Sequence, residues 1–175
     1  MFKCIFGLIH KLLTLIACII TGIFRFFVNL ILKIIAFSKR KKLERKANEN
    51  GFAELYSLIN GECDMGGIEF ENYIAKLLEN EVGSDNVDTT PVSSDYGVDI
   101  ITTVPDVSVY QCKCYSGTVG VKAVQEVYSG KAYYNADNAY VVTNSTFTKN
   151  ARELAEKTGV ILWDRDSLLN LIDKY

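Results

Sequence analysis

Two regimes of patterning divide the chain. From Phe2 to Phe37 apolar residues run almost without period, broken only by Lys3, His10, Lys11, Thr14, Thr21, Arg25, Asn29 and Lys33. From Gly66 onward, short periodic segments alternate. Phe70, Ile74, Leu77 and Leu78 fall on one face of a helix. Residues 87–90 read as a short strand. Residues 97–103 and 107–115 are two β-branched runs joined by Val104-Pro105-Asp106, which predicts a hairpin. A helix is expected over 119–133, with Val121, Val124, Tyr128 and Ala132 at helical spacing. A buried strand follows at 139–143. Thr148 is placed to cap the next helix and Gly159 to end it. Residues 160–162 form a last strand, and Asp164 or Asp166 starts a final helix to Ile172. The order αβββαβαβα predicts an α/β domain with a mixed sheet, a hairpin first and then crossovers.

The apolar segment reads as a membrane helix. Its longest uncharged run, 12–24, is thirteen residues, short of the about 20 a span needs. Extension past Arg25 to Leu32 gives twenty-one residues. Placing that Arg in a bilayer costs roughly 2.5–3.5 kcal/mol at the centre and less near an interface. Ser38-Lys39-Arg40-Lys41-Lys42, then Arg45 and Lys46, follow. Such a cluster predicts that the C-terminal part faces the cytoplasm. The expected division is a membrane-anchoring segment at 1–38, a basic juxtamembrane linker at 39–65 and a soluble domain at 66–175. The linker is expected to hold a short amphipathic helix at 52–58 and a turn at Asn60-Gly61.

Charge sharpens the division. Residues 1–46 carry ten basic side chains and one acid; residues 47–175 carry nine basic and twenty acidic ones. The two parts therefore stand near +9 and −11, as expected for two environments. Five cysteines without framework spacing argue against a disulfide scaffold.

The soluble part contains no histidine; the sole one is His10. Ser-His-Asp and Cys-His mechanisms and most zinc sites are thereby excluded. Carboxylates and lysines remain. Asp99 stands in Tyr96-Gly97-Val98-Asp99-Ile100, an acid in an otherwise apolar strand start. In Tyr110-Gln111-Cys112-Lys113-Cys114-Tyr115, alternation puts Gln111 and Lys113 on one face and the two cysteines on the other. A hairpin turning near Pro105 brings Asp99 opposite Gln111 and Lys113. Asp99 and the Gln111 carbonyl oxygen suit a hard cation such as Mg²⁺. Lys113 suits a water or a phosphate, and Glu71 on the first helix could add a ligand. The same residues also suit a cross-strand Asp99–Lys113 ion pair and a helix-N-terminal acid. Cys112 and Cys114 read as packed thiols. Spacing alone leaves these readings open.

Longer stretches carry a family resemblance. They are Gly67-Ile68-Glu69-Phe70-Glu71, Asp95-Tyr96-Gly97-Val98-Asp99-Ile100 and Gln111-Cys112-Lys113-Cys114-Tyr115, continuing through Val119-Gly120-Val121-Lys122-Ala123-Val124-Gln125-Glu126-Val127. Further on come Val141-Val142-Thr143-Asn144-Ser145-Thr146-Phe147-Thr148, Ala151-Arg152-Glu153-Leu154-Ala155 and Gly159-Val160-Ile161-Leu162-Trp163-Asp164. In this order the stretches resemble the Mrr-like restriction endonuclease catalytic domain of the PD-(D/E)XK nuclease superfamily.

The resemblance implies a restriction-endonuclease-like mixed β-sheet flanked by helices, and Mg²⁺-dependent (or Mn²⁺-dependent) hydrolysis of DNA. Asp99 then corresponds to the metal-binding acid, and Gln111 stands where many relatives have Glu or Asp. Lys113 corresponds to the active-site lysine and Glu71 to the acid on the first helix. Asn144 and Ser145 become either phosphate contacts or a helix-capping turn. The expected function is a membrane-anchored DNA endonuclease, plausible in restriction of foreign DNA. The alternatives are a nuclease-fold binding or assembly module with weak catalysis, and an RNA-directed nuclease. The expected partners are DNA, a membrane through the N-terminal segment, and a second copy or a recruiting protein. The acidic domain departs from the basic footprint of a tight nucleic-acid binder.

Overall fold

The fold follows from one helix, α1 (Phe2–Glu49), and an α/β unit built after it. The computed structural model describes residues 2–62, 64–91 and 96–174, with side chains described from Ile19 onward. The chain divides into two compact units, 1–42 and 43–175.

In the first unit the helix is clothed in exposed apolar side chains, from Ile19 and Ile20 through Phe26 and Phe27 to Ile35 and Phe37. At about 1.5 Å per residue, residues 19–37 run about 28 Å, close to the ~30 Å hydrocarbon core of a bilayer. Among the described residues, this is the one helix long and apolar enough to cross a membrane.

The second unit begins earlier than residue 66. Leu43 and Ala47 are buried, with Phe52 and the α2 (Ala53–Ile59) residues Leu55, Tyr56, Leu58 and Ile59. They share one core with Phe70, Ile74, Leu77 and Leu78 of α3 (Gly67–Val82). The segment expected as a linker thus adds buried surface to the domain from Leu43 on. Its basic residues mask a Leu43/Ala47/Phe52 stripe that is apolar only every four or five positions.

From α3 onward the element order is the one the pattern predicts. The strands are β1 (Val87–Thr89), β2 (Ile100–Thr102), β3 (Ser108–Lys113), β4 (Asn138–Thr143) and β5 (Ile161–Trp163). They lie side by side in the order 1-2-3-4-5. The first three are antiparallel; β3–β4 and β4–β5 are parallel. The α4 helix (Val121–Tyr133) makes the first crossover and α5 (Lys149–Thr158) the second, and α6 (Arg165–Lys174) closes the chain. All of β3 but Lys113 is buried, as expected of a strand covered on both faces.

The local signals act as expected at the ends. Thr148 Oγ1 accepts the Ala151 N–H at 3.2 Å, and Gly159 ends α5 in the left-handed region. Of the two candidates for starting α6, Asp164 does so. Its Oδ1 accepts the Ser167 N–H at 3.2 Å and the Ser167 hydroxyl at 3.1 Å.

The α4 helix is where the pattern misleads. Its buried residues are Ala123, Val124, Val127 and Gly130, whereas Tyr128 is 49% exposed. The stripe Val121, Val124, Tyr128, Ala132 is therefore not the core face. Close approach decides the face instead. A Cβ on Gly130 would lie 2.3 Å from Val98 Cγ2 and 2.9 Å from the Tyr96 carbonyl oxygen. Gly97, at φ +77°, is equally pressed: its Cβ would lie 2.7 Å from Glu126 Cβ. Gly130→Ala tests this directly. Alanine gains roughly 1 kcal/mol of helix propensity, yet overpacking costs typically about 1–3 kcal/mol. The variant is expected to melt below the parent in a thermal scan; a higher melting temperature would contradict the close packing.

Candidate active site

The site forms where β2 begins and β3 ends. Extending the Ile100↔Tyr110 pairing by one step sets Asp99 opposite Gln111, and the Asp99 N–H donates to the Tyr110 carbonyl at 2.7 Å. β2 is shorter than the run 97–103 suggests, because Tyr96 and Gly97 both take positive φ. Asp99 itself stays tied to its neighbours on both sides, its carbonyl accepting the Thr90 N–H at 2.9 Å and its carboxylate meeting β3.

Asp99 and Gln111 are both buried. Asp99 Oδ2 accepts Gln111 Nε2 and the Cys112 N–H, each at 2.5 Å. A buried carboxylate needs such donors, since burial without partners costs several kcal/mol (roughly 2–7 even for neutral polar groups). Gln111 and Lys113 share the β3 face with Val109, whose neighbours come from α4 and α5. Cys112 lies on the other face, in the core with α3. Burial, then the charges of Asp99 and Glu71, push the Cys112 thiol well above its usual range, against the pull of Lys113. A thiol held protonated this way is inert packing.

Lys113 pairs with an acid on α4. Its Nζ lies 3.2 Å from Glu126 Oε2 on α4, and Glu126 Oε1 lies 3.6 Å from Lys122 Nζ. Glu71, Gly97, Asp99, Gln111, Cys112, Lys113 and Glu126 line one cleft of ≈ 230 Å³. The four residues singled out in the sequence therefore converge. Glu126 is the one the sequence reading did not single out. Its place depends on α4 closing on Gly97, a long-range contact that no local spacing signals.

Asp95, which opens one of the resembling stretches, lies outside the described residues. Asn144 and Ser145 serve the scaffold at least in part. Asn144 Oδ1 accepts the Tyr115 N–H at 2.9 Å, and the Ser145 carbonyl accepts the Arg165 N–H at 3.0 Å.

Among the described residues, no three or more His, Cys, Asp or Glu side chains gather as metal ligands. The oxygen donors at the cleft are instead Glu71, Asp99 and the Gln111 amide, with the third carboxylate, Glu126, paired to Lys113. Mg²⁺ is commonly held by such a small set, keeping several of its waters. Oxygen donors and an adjacent ammonium suit a hard cation with a bound phosphate better than zinc.

A mixed sheet with an acid before β2, Gln-x-Lys closing β3 and flanking helices on both faces defines the restriction-endonuclease-like class. The restriction endonuclease family model Mrr_cat matches residues 63–172, and the chain belongs to that family. Among solved structures it is similar to a protein of unknown function, AF1548, at 17% identity over 54% of this chain and 55% of that one, with a TM-score of 0.46. It is similar to the MspJI restriction endonuclease, solved with a 27-mer oligonucleotide, at 17% identity, 59% and 27% coverage and a TM-score of 0.44. It is similar to the DNA modification-dependent restriction endonuclease AspBHI at 21% identity, 78% and 34% coverage and a TM-score of 0.47. The chain thus spans about half of the first and about a third or less of the other two. No curated protein matches it.

Proposed function

We propose that the protein is a membrane-anchored endonuclease that hydrolyses DNA phosphodiester bonds with Mg²⁺ or Mn²⁺, its 43–175 unit facing the cytoplasm. The observation that carries this reading is the cleft in which Asp99, Gln111 and Lys113 meet at the end of β3, in a chain of the restriction endonuclease family. Its support at the membrane is the exposed apolar helix followed by Lys39, Arg40, Lys41 and Lys42.

Asp99 and Glu71, with the Gln111 carbonyl oxygen, would hold the cation. Gln111 presents its nitrogen to Asp99, so its amide turns over to offer oxygen to a cation on that side. A bound divalent ion supplies polarisation of the phosphate and a water nucleophile at neutral pH. Lys113 places a compact positive charge beside the phosphate, and offsets the charge that grows on its oxygens as the attacking water adds. Glu126 acts through Lys113 as a positioning residue: it holds the ammonium over the cleft until a phosphate competes for it. Restriction of foreign DNA is the role this activity suits, and the anchor would raise the local concentration of a weakly binding acidic domain.

The test is nicking of supercoiled plasmid by the full chain in detergent micelles, with Mg²⁺, with Mn²⁺ and with chelator. Nicking that appears only with metal is the expected result. Metal-independent nicking overturns the metal requirement. No nicking of DNA, with cleavage of RNA or of neither, overturns DNA as the substrate.

A further inference from the structure

A second and larger cavity, of ≈ 690 Å³, lies at the same end of β3 as the catalytic cleft. Lys113 lines the cleft and Cys114 lines this cavity, so the two share the end of β3. Its walls are the loop after β3, the loop after β4 and the start of α6 after β5, with Asn60 and Asp64 opposite. These are the carboxyl ends of the parallel strands, where open α/β sheets gather ligands. The volume falls within the roughly 300–1,000 Å³ of small-molecule sites.

The lining has a definite chemistry. Tyr115 is 51% exposed and offers an aromatic face. Asn144 spends its oxygen on the Tyr115 N–H, which leaves its NH₂ as donors. Ser116 and Thr118 add hydroxyls. Arg165 is half-buried, its backbone N–H donates to the Ser145 carbonyl at 3.0 Å, and its guanidinium makes no ion pair among the described residues. Asp64 on the rim is exposed, so its opposing charge is screened by water. A guanidinium without a carboxylate gains most from a phosphate, which it can grip with two parallel bonds.

We propose that this cavity seats one nucleotide of the bound strand, with Tyr115 against the base and Arg165 on that nucleotide's own phosphate. The proposal deepens the nuclease reading and rests on it for the identity of the strand. Seating a base here takes it out of the duplex stack, and stacking on the tyrosine offsets part of that cost.

The experiment titrates deoxythymidine monophosphate, without divalent metal, into the full chain in detergent micelles and reads binding by calorimetry. Thymidine and inorganic phosphate are separate arms. Arg165→Ala is expected to weaken the monophosphate and inorganic phosphate about tenfold, as loss of a charged hydrogen bond does. Tyr115→Ala is expected to weaken the monophosphate and thymidine about five- to tenfold, as loss of base stacking does. Arg165→Lys keeps the charge and should restore part of the phosphate affinity. On an oligonucleotide substrate, Arg165→Ala should raise KM more than it lowers kcat. Monophosphate binding lost in Lys113→Ala but untouched in Tyr115→Ala and Arg165→Ala places the ligand in the cleft and overturns the proposal, as does no binding at all. Because the titration needs neither metal nor cleavage, it separates failure of this site from failure of the nuclease reading. A chain that nicks plasmid yet binds no monophosphate sinks only the former.

Discussion

Lys113→Ala in the full chain is expected to slow metal-dependent nicking of plasmid by about 10²–10³-fold, the range found when one preorganised charge-stabilising donor is removed. The size of the effect follows from its position. The Lys113 side chain is only 20% exposed and sits in the cleft with Asp99 and Gln111, so its charge acts with less screening than a surface lysine's. The fold should bear the loss. Lys113 is the last residue of β3, its side chain is not part of either apolar cluster, and Glu126 keeps Lys122 as a partner at 3.6 Å. The melting temperature should therefore stay within a few degrees of the parent while activity collapses. Lys113→Arg should recover little, because a planar guanidinium does not replace a compact point charge at a fixed position. A nicking rate within about threefold of the parent would remove Lys113 from the mechanism, since the donor losses on which the expectation rests are far larger.

Most of this site was legible because strands report their faces locally. Two-residue alternation alone put Gln111 and Lys113 together, and the Val104-Pro105-Asp106 break set the register that brings Asp99 opposite. Glu71 needed one further step, the helix that β1 and β2 pack beneath. Glu126 was hidden because nothing within α4 marks it. Its carboxylate reaches Lys113 only because Gly97 and Gly130 let the helix close on residues 96–98. The same glycines explain the misread face of α4: contact made by the absence of a side chain leaves no apolar stripe. Residues 43–59 were obscured by composition. The basic residues around Leu43 and Ala47 suit a water-exposed tether, yet the apolar ones among them complete the α3 core. Charge patterning separates environments; it does not locate the residue at which packing begins.

Asp99 is the acceptor of two buried donors and the proposed ligand of the cation, and its substitutions should separate the two. Asp99→Ala removes the acceptor of the Cys112 N–H and of Gln111 Nε2. Each donor is then buried without a partner, at a cost of about 1–3 kcal/mol. For a unit of this size, the two losses together lower the melting temperature by roughly 10 °C or more. Asp99→Asn keeps the shape and can turn its carbonyl oxygen to the Cys112 N–H, so it should melt much nearer the parent. Its amide carries no charge, however, and the cleft loses its most buried carboxylate. Mn²⁺ affinity, read by calorimetry, should fall by at least the ~10–100-fold that loss of even an outer-shell partner costs, and nicking should fall with it. Equal metal affinity in Asp99→Asn and the parent would assign the carboxylate to the scaffold alone, as the acceptor that pins β3 to the start of β2. The cation would then have to rest on Glu71 and its neighbours. A weakened Asn variant with a normal melting temperature has the opposite meaning: the hydrogen bonds that hold Asp99 in place are how the fold aims a charge, and the charge is what the chemistry uses.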